Sequence, residues 1–507
     1  MKKTAIIIGS GFGGLGTAAL LGKAGYKVTV IEKNEMVGGR ASTFTADGFT
    51  FDMGPSWYLM PDVFEHFFDL LGEDVNKQLD LKKLAPSYRI FYKDSDQKVD
   101  IYSDLKRDLP TIEALEKGAG EALQRYLDQA GYQYGVAKDR FMYKNYDSIR
   151  DFFTKEMAME GRKLSVLSNM DRYVGKYFKS DQMQKIMQYP LVFLGSSPFN
   201  TPAIYNIMSH IDFSMGVYYP QGGIYKITEA LAAIAEKHGA KMLVNTPVAK
   251  IIVENGTAVG IRTENGKELR ADIVISNADI HHTEQKLLEP AYRTKSDRYW
   301  KSRTLAPSAL MMYLGVKGRL PSLTHHNLLF SNDWKQNFAE IFDQPKWPSD
   351  PSLYVCAPSK TDPTVAPRGH ENLFVLVPIA SGLEYTEETL EAYADKVLDT
   401  MEREMGLPGL RDKIVYKRLF SVKDFSERYN SYQGTALGLA HTLKQTAIFR
   451  PNNISKKVKN LYFAGAGTNP GIGMPITLIS AELVYKRIVG DKTSGPLKRE
   501  QLEPIQS

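Results

Sequence analysis

Apolar and polar positions near the start of the chain change their spacing twice within a short distance. The run TAIII at residues 4–8 is apolar and partly β-branched, which is typical of a strand buried on both faces. The stretch LGTAALLGKAG, residues 15–25, predicts a helix that ends near Gly25. The apolar and polar alternation of YKVTVIE, residues 26–32, predicts a second strand that ends in Glu32. This order predicts the first unit of a parallel α/β sheet.

Two later stretches show the same change between strand and helix spacing. Residues 218–279 contain a glycine turn, an amphipathic helix and several short strands, with hairpin turns predicted at Asn255-Gly256 and Asn265-Gly266. Residues 460–488 contain a strand, a glycine-rich loop and a helix. The fold class predicted is therefore α/β. A length of 507 residues predicts at least two domains, one of which is interrupted by another.

Residues 186–211, IMQYPLVFLGSSPFNTPAIYNIMSHI, contain no Asp, Glu, Lys or Arg. The prolines at positions 190, 198 and 202 would break a continuous helix, so a membrane-spanning helix is not predicted here. We interpret the segment as helix pieces and loops that line an apolar cavity or contact a membrane interface.

Gly9, Gly11 and Gly14 stand in the G-x-G-x-x-G spacing between the first strand and the first helix. Gly9 allows a tight turn, Gly11 lets the backbone approach a pyrophosphate, and Gly14 lets the helix pack closely on the strand. Glu32, at the end of the second strand, is placed to accept hydrogen bonds from ribose hydroxyls. Together these features predict a dinucleotide site.

The residues after the second strand distinguish a flavin from a nicotinamide nucleotide. In EMVGGRAST, residues 35–43, the pair Gly38-Gly39 is followed by Arg40. This arrangement resembles the extension found in flavoproteins of the amine oxidase and phytoene desaturase superfamily. Two glycines permit another close backbone approach, and the Arg40 guanidinium can neutralise phosphate. The nucleotide implied is FAD.

Three further segments carry the same resemblance in the expected order. Residues 52–56 are similar to a D-x-G-P-S segment that passes near the flavin in bacterial-type phytoene desaturases. Val248 stands where the family's backbone meets adenine, and Asn277 ends a strand that re-enters the sheet. Residues 465–475 are similar to the G-A-x-T-x-P-G-x-G-x-P run of carotenoid desaturases, although Asn469 stands where many relatives have histidine. The chain thus resembles carotenoid desaturases of the bacterial phytoene or dehydrosqualene type.

The resemblance implies a Rossmann-type FAD-binding domain of the GR2-like kind, with an inserted α+β substrate-binding and membrane-associating domain. The first would comprise residues 1–104, 217–279 and 417–493, and the second residues 105–216 and 280–416. Residues 494–507 are polar and predict a flexible tail. The expected FAD contacts are Gly9, Gly11, Phe12, Gly13, Gly14, Glu32, Lys33, Gly39, Arg40, Gly54, Pro55, Ser56, Val248, Asn277, Gly465, Gly473, Met474 and Pro475.

The activity implied is desaturation of a linear carotenoid precursor, either phytoene-like or dehydrosqualene-like. FAD would accept a hydride from an allylic carbon while a proton leaves the neighbouring carbon, and oxygen or a quinone would reoxidise the flavin. Such a long apolar isoprenoid implies a peripheral contact with a membrane surface, on the cytoplasmic side. Related flavoproteins that isomerise or saturate polyenes, or that oxidise carotenoids at a later step, are alternatives. A non-catalytic isoprenoid carrier is disfavoured by the intact glycines and Arg40.

Composition narrows the choice of partners and metals. A net charge of +6 is spread in short clusters, which does not predict nucleic-acid binding. Cys356 is the only cysteine, so an intramolecular disulfide is excluded, and we expect a small buried side chain in a reducing compartment. No Cys/His array has zinc spacing, and the rings of His281-His282 and of His325-His326 are expected to diverge, so no metal is predicted.

The sequence does not assign a catalytic base. Asp52, Asp212 and Asp279 lie beside segments expected near the cofactor, but a carboxylate beside a glycine turn often serves as a cap. The catalytic residues are left unknown at this stage.

Overall fold

A computed structural model describes residues 2–148 and 168–502. Residues 149–167, which fall within the predicted segment 105–216, and residues 503–507 of the predicted tail lie outside the described residues. The strands are β1 Thr4–Ile8, β2 Lys27–Ile31, β3 Thr43–Ala46, β4 Phe49–Asp52, β5 Leu81–Lys83, β6 Tyr88–Tyr92, β7 Lys98–Ile101, β8 Tyr218–Pro220, β9 Lys241–Leu243, β10 Val248–Glu254, β11 Thr257–Thr263, β12 Glu268–Arg270, β13 Ile273–Ser276, β14 Ser308–Lys317, β15 His326–Phe330, β16 Leu353–Cys356, β17 His370–Ile379, β18 Ile414–Phe420 and β19 Leu461–Phe463.

Helices connect these strands and cover the sheets. Their bounds are α1 Phe12–Lys23, α2 Pro61–Leu71, α3 Val75–Gln78, α4 Leu105–Leu115, α5 Ala119–Ala137, α6 Met170–Tyr177, α7 Asp181–Gln188, α8 Ile207–His210, α9 Tyr225–Lys237, α10 Ile280–His282, α11 Asp297–Lys301, α12 Trp334–Phe342, α13 Glu387–Glu404, α14 Leu410–Lys413, α15 Val422–Tyr429 and α16 Met474–Val489. Within residues 2–148 and 168–502, no helix has both the length and the apolar composition that crossing a membrane requires.

The predicted strand–helix–strand unit at the amino terminus is present. Its two strands, β1 and β2, lie within a five-stranded parallel sheet, and α1 connects them. The order of the sheet is β19-β13-β1-β2-β9, so strands from the beginning, middle and end of the chain lie side by side. The residues of β1 and β13 are almost all buried, and α1 packs on the sheet with α9 and α16 as neighbours. The predicted α/β class is confirmed.

A seven-stranded mixed sheet forms the second large unit, in the order β18-β14-β17-β16-β15-β6-β7. The apolar run of β14 is buried along nearly its whole length, and α13 covers one face of the sheet through Leu390, Val397 and Met401. Strands β6 and β7 fall within the predicted FAD-binding segment 1–104, yet β6 pairs with β15 of this sheet and β7 pairs with β6. Alternating apolar positions predict a strand but not its partner, so the division into segments did not anticipate this pairing.

The predictions that depend on a turn residue or a proline, namely two hairpins and a series of short helix pieces, agree with the structure. Asn255 and Gly256 both have positive φ, 49° and 73°, and join β10 to β11 as the predicted hairpin. The hairpin at Gly266, with φ of 84°, joins β11 to β12. The charge-free segment is broken after α7 into 3₁₀ turns at Tyr189–Leu194 and Ala203–Asn206, followed by α8. The prediction of short helix pieces is confirmed.

The predicted flexible tail is wrong for residues 494–502. Leu497 and Leu502 are buried in the core beneath the five-stranded sheet, and residues Arg499–Leu502 form a 3₁₀ turn. The backbone N–H of Leu497 also donates to the carboxylate of Glu482 on α16. The prediction relied on the polar composition of the segment. It did not consider that Leu497 and Leu502 pack on a surface formed by residues from elsewhere in the chain.

Candidate functional site

A cavity of about 640 Å³ is lined by residues of both large sheets, and it collects nearly all of the predicted cofactor contacts. The sequence motifs that supply them are far apart in the chain, but all of their strands end at this place. The predicted contacts that line the cavity are Gly9, Gly11, Phe12, Gly13, Glu32, Lys33, Gly39, Arg40, Gly54, Pro55, Ser56, Val248, Asn277, Gly465, Gly473, Met474 and Pro475.

The glycine turn after β1 has the close contacts that its spacing requires. Gly9 has a φ of 91°, a conformation that favours glycine. A Cβ built on Gly14 would lie 2.1 Å from the carbonyl oxygen of Gly9, so α1 could not approach the turn with any larger residue. Gly14 therefore serves helix packing and, unlike the other predicted contacts, does not line the cavity.

The carboxylate of Glu32 lies at the end of β2, as predicted, and is held in a buried position. It accepts hydrogen bonds from the backbone N–H of Ser10 at 3.0 Å and from the Ser10 hydroxyl at 2.7 Å. Its second oxygen accepts from the N–H of Asn34 at 2.9 Å. Lys33, which also lines the cavity, donates to Asn430 Oδ1 at 3.1 Å. These bonds fix the carboxylate in the wall of the cavity.

Arg40 presents a positive charge to the cavity, and the Asp279 carboxylate lies near it. Its Nη2 donates to the Ser431 hydroxyl at 3.3 Å, while its Nε is buried without a hydrogen-bond partner. Burial lowers the pKa of Arg40, and the nearby Asp279 carboxylate opposes that shift. A half-buried guanidinium with an unpaired N–H fits an anionic group such as a pyrophosphate.

The third segment completes the polar end of the cavity with backbone groups. A Cβ on Gly465 would lie 2.4 Å from Oδ1 of Asn277, so the loop after β19 can pack against this side chain, which follows β13, only through glycine. Gly473, Met474 and Pro475 form the start of α16, whose first N–H groups and dipole favour negative charge. The buried guanidinium of Arg450 supports the loop by donating to the carbonyl oxygens of Ala466 at 2.7 Å and Thr468 at 3.1 Å.

The other end of the cavity is apolar and aromatic. The charge-free segment contributes side chains that include Tyr189, Phe193 and Ile211, which confirms that it lines a cavity. Trp57 lies against the ring of Phe193 at a centroid distance of 5.2 Å. The facing wall comes from the seven-stranded sheet, with Met311, Leu328, Phe330, Leu353, Phe374 and Leu376.

Sequence reasoning missed a polar pair in this wall, Tyr205 and His441. The Tyr205 hydroxyl is hydrogen bonded to Nδ1 of His441 at 2.6 Å and also to the Thr446 hydroxyl. Nε2 of His441 accepts from the backbone N–H of Ile472 at 3.3 Å, which ties the pair to the glycine-rich loop. Burial holds the pKa of His441 well below its usual value, so the ring is neutral. Tyr205 lies in the charge-free segment predicted to line a cavity, but His441 belongs to no recognisable motif, so the sequence did not indicate the pair.

The aspartates considered as bases have structural partners. Asp52 accepts from the N–H groups of Ile224 at 2.8 Å and Tyr225 at 3.1 Å, at the start of α9. Asp212 accepts from the hydroxyls of Tyr88 at 2.7 Å and Tyr189 at 2.9 Å. The third, at position 279, lines the cavity near the Arg40 guanidinium and caps α10. Nothing in this geometry marks any of them as a base.

The expectation about adjacent histidines is wrong for His325 and His326. Their ring centroids are 4.5 Å apart, and Cys356 lies beside them. His325 precedes β15, so the alternation of side chains in a regular strand does not apply to it. The zinc-type spacing of Cys and His in the sequence also did not indicate this group of three residues. The pairing of β15 with β16, not proximity in the sequence, brings Cys356 to the histidines.

Comparisons with known proteins identify the class. The family model described as flavin containing amine oxidoreductase matches residues 12–488. Among solved structures, putrescine oxidase bound to putrescine has a TM-score of 0.64 at 15% identity, covering 97% of this chain and 99% of that one, which supports the fold alone. The chain belongs to the flavin containing amine oxidoreductase family and is a flavin-dependent oxidoreductase.

Two curated relatives narrow the family further. Carotenoid 3,4-desaturase of Haloarcula japonica is 46% identical over 486 residues, covering 96% of this chain and 98% of that protein. The zeta-carotene-forming phytoene desaturase of Myxococcus xanthus is 35% identical over 488 residues, covering 96% and 93%. Within the flavin-dependent oxidoreductases, the chain belongs to the carotenoid desaturase family.

Proposed function

We propose that this protein is an FAD-dependent desaturase of a linear carotenoid precursor. The observation that carries the proposal is the single cavity in which a glycine-lined, cationic end adjoins an aromatic and apolar end. Such a cavity suits a dinucleotide at one end and a long isoprenoid at the other. The family membership reported above supports the same conclusion.

The flavin is proposed to be FAD, held by the predicted contacts. Arg40 and the start of α16 would neutralise the pyrophosphate, and Glu32 would accept hydrogen bonds from ribose. A Cβ on Gly11, Gly13 or Gly465 would lie within 3.0 Å of the Asn277 side chain, so glycine at these positions lets the motifs that would hold FAD pack against one another. When bound, FAD supplies the two-electron acceptor that protein side chains lack.

The apolar end would orient the polyene and exclude water. Removal of one hydride from an allylic carbon and one proton from its neighbour leaves a new double bond and extends the conjugation. The two electrons would pass through the flavin to oxygen or a quinone, which completes the redox balance. The Tyr205–His441 pair would hold the wall next to the glycine-rich loop in place, because His441 bonds to Ile472 of that loop, Tyr205 bonds to His441, and both side chains line the cavity.

We further propose that the protein contacts the membrane surface peripherally, on the cytoplasmic side. Leu443 and Phe449 are 45% and 52% exposed. They flank Thr446, whose hydroxyl bonds to Tyr205 in the cavity wall. Large apolar side chains exposed so close to the cavity provide a route by which an isoprenoid could leave the lipid phase.

The test uses purified protein loaded with FAD and liposomes that contain a phytoene-like or a dehydrosqualene-like precursor, with oxygen or a quinone as acceptor. We expect loss of precursor and new visible absorption bands in the lipid extract, none of which should form with protein stripped of flavin. Shortened conjugation would indicate a saturase, and unchanged mass with a shifted spectrum would indicate an isomerase. A colourless protein that retains the polyene but no flavin would support a carrier.

A second candidate is desaturation of a carotenoid that is already coloured. It is favoured by the higher identity to the 3,4-desaturase, 46% against 35% for the phytoene desaturase. A third arm of the same experiment therefore supplies a coloured acyclic carotenoid. Conversion in this arm alone would assign the protein to a late desaturation step, and incorporation of oxygen into the product would assign it to later-step oxidation.

A further inference from the structure

Three side chains that commonly bind metals meet behind the cavity wall. His325 directly precedes β15, His326 is its first residue, and Cys356 is the last residue of β16. His326 and Cys356 are paired across the two antiparallel strands. One donor atom from each of the three residues lies within 4.8 Å of the other two, and all three residues are at most 3% exposed. Two imidazoles and a thiol form a donor set that suits transition metals.

Both imidazoles are oriented in the way that ligating histidines usually are. Nδ1 of His325 is hydrogen bonded to the Thr361 hydroxyl at 2.8 Å, and Nδ1 of His326 to the Tyr354 hydroxyl at 2.8 Å. The Nε2 atoms of both rings are buried and have no hydrogen-bond partner in the described part of the chain. A ligating histidine commonly bonds its second ring nitrogen to an oxygen that fixes the ring. The two unpaired nitrogens are therefore the atoms available to a cation.

The distances and protonation states are compatible with ligation. Metal–sulfur bonds of about 2.3 Å and metal–nitrogen bonds of about 2.0 Å place such donors about 3.5 Å from one another, so even donors at the 4.8 Å limit would move together by only roughly 1 Å. Burial lowers the pKa of His325 to about 3 and that of His326 well below its usual value, so both rings are neutral. Burial raises the pKa of the Cys356 thiol, and a bound cation would reverse that preference.

We propose that His325, His326 and Cys356 form a buried site for one thiophilic d10 cation, zinc(II) or copper(I). The thiolate selects such ions over magnesium and calcium. On binding, the metal–sulfur bond replaces the S–H bond of Cys356, the proton leaves to solvent, and no electron is transferred.

The site would connect the second sheet to the cavity wall. The His326 ring stacks on Trp57 at a centroid distance of 4.1 Å and an interplanar angle of 8°. The Tyr354 hydroxyl joins His326 to Ser56, with a distance of 2.7 Å to the Ser56 hydroxyl. Trp57, Tyr354 and Ser56 all line the cavity. A cation at the site would therefore hold in place the wall between its polar and apolar ends.

The first measurement is the metal content of the full-length, flavin-loaded protein. Separate samples are incubated with zinc(II), with copper(I) under anaerobic reducing conditions, or with magnesium(II), then desalted and measured by mass spectrometry. We expect about one zinc or copper ion per chain and less than about a tenth of that for magnesium. The arm that reaches one equivalent identifies the ion. Failure of both thiophilic ions to reach half an equivalent would overturn the proposal.

Variants and spectroscopy then locate the ion. Cys356→Ser and His326→Gln should each lower retained metal at least about tenfold, whereas His370→Gln, at a half-buried histidine outside the cluster, should leave it unchanged. Bound-flavin absorption confirms that each variant is folded. X-ray absorption of the metal-loaded wild type, which needs no variant, should show one sulfur at about 2.3 Å and nitrogens at about 2.0 Å. A shell without sulfur, or full metal retention by folded Cys356→Ser, would refute the site whether or not the protein desaturates carotenoids.

Discussion

The polar and apolar ends of the cavity are built in different ways. The polar end consists of short motifs, such as the turn at Gly9 and the pair Gly39-Arg40, that follow strands of the five-stranded sheet. The apolar end consists of single side chains, among them Phe193 and Phe330, that come from separate elements. At the first end the backbone forms the surface, and at the second the side chains do.

This difference explains why one end is recognisable in the sequence. A backbone that must approach a nucleotide or another backbone tolerates only glycine. Gly14 illustrates this, because a Cβ built on it would lie 2.1 Å from the carbonyl oxygen of Gly9. An apolar wall can be built from many combinations of large residues that fill the same volume. We therefore expect substitutions at the polar end to abolish flavin binding and substitutions at the apolar end to alter turnover.

The largest effect is expected from Gly14→Ala. The added Cβ would lie 2.1 Å from the carbonyl oxygen of Gly9, which forces α1 away from the turn. Bound flavin, measured by absorbance per chain, should fall by about 100-fold or more. The matched control is Gly135→Ala in α5, where a Cβ meets nothing within 4 Å. That variant should keep its flavin and gain about 0.5 to 1 kcal/mol in the free energy of unfolding. Equal flavin loss in both variants would contradict the proposed role of the turn.

Arg40→Met should weaken FAD binding by about 10- to 100-fold, because charge-assisted hydrogen bonds to phosphate contribute about 1.5 to 3 kcal/mol. Arg40→Lys should recover only part of the affinity, since a point charge lacks the guanidinium fork. Titration of the flavin-free protein with FAD measures both. Arg298→Met, at an exposed arginine on α11, should bind FAD like the wild type. Unchanged affinity in Arg40→Met would place the pyrophosphate elsewhere.

At the apolar end, Phe193→Asn should leave FAD affinity within about twofold of the wild type but lower kcat/KM for the polyene by about tenfold. The reason is that an amide without partners is costly beside an apolar ligand, by about 1 to 3 kcal/mol. Phe193 is in ring contact with Trp57 and Tyr189 within the cavity wall. Phe342→Asn, on a half-buried ring of α12, is the control and should retain kcat/KM. Loss of bound flavin in Phe193→Asn would contradict the proposal that the polar end of the cavity determines flavin binding and the apolar end determines turnover.

The smallest effect concerns Asp212, behind the apolar end. Burial raises the pKa of this carboxyl to about 7 from an ordinary 3.8, despite hydrogen bonds from Tyr88 and Tyr189. The folded state therefore favours the protonated form, and this contribution to stability is lost as pH rises from about 4 to about 7. Asp212→Asn cannot ionise, so its thermal midpoint should fall less between pH 5 and pH 8 than that of the wild type, by roughly 1 to 3 °C. A parallel pH dependence in the two proteins would rule out Asp212 as the titrating group.

Much of the polar end could be predicted from the sequence because its determinants are local. Gly9, Gly14 and Glu32 follow from the spacing of a strand, a turn and a helix, and Asn255-Gly256 follows from turn chemistry. The buried Leu497 and Leu502 could not be predicted in this way, because the surface that covers them forms only when distant strands assemble. His441 was missed for the same reason: its importance comes from its contact with the glycine-rich loop.

The sequence by itself determined the α/β class and the family, because backbone sterics restrict the choice of residue at each glycine turn. Only the tertiary structure decided that β6 and β7 join the second sheet, that Tyr205 meets His441, and that Cys356 meets His325 and His326. Strand pairing and side-chain packing depend on residues that are tens to hundreds of positions apart, and a local pattern carries no information about which of them will meet.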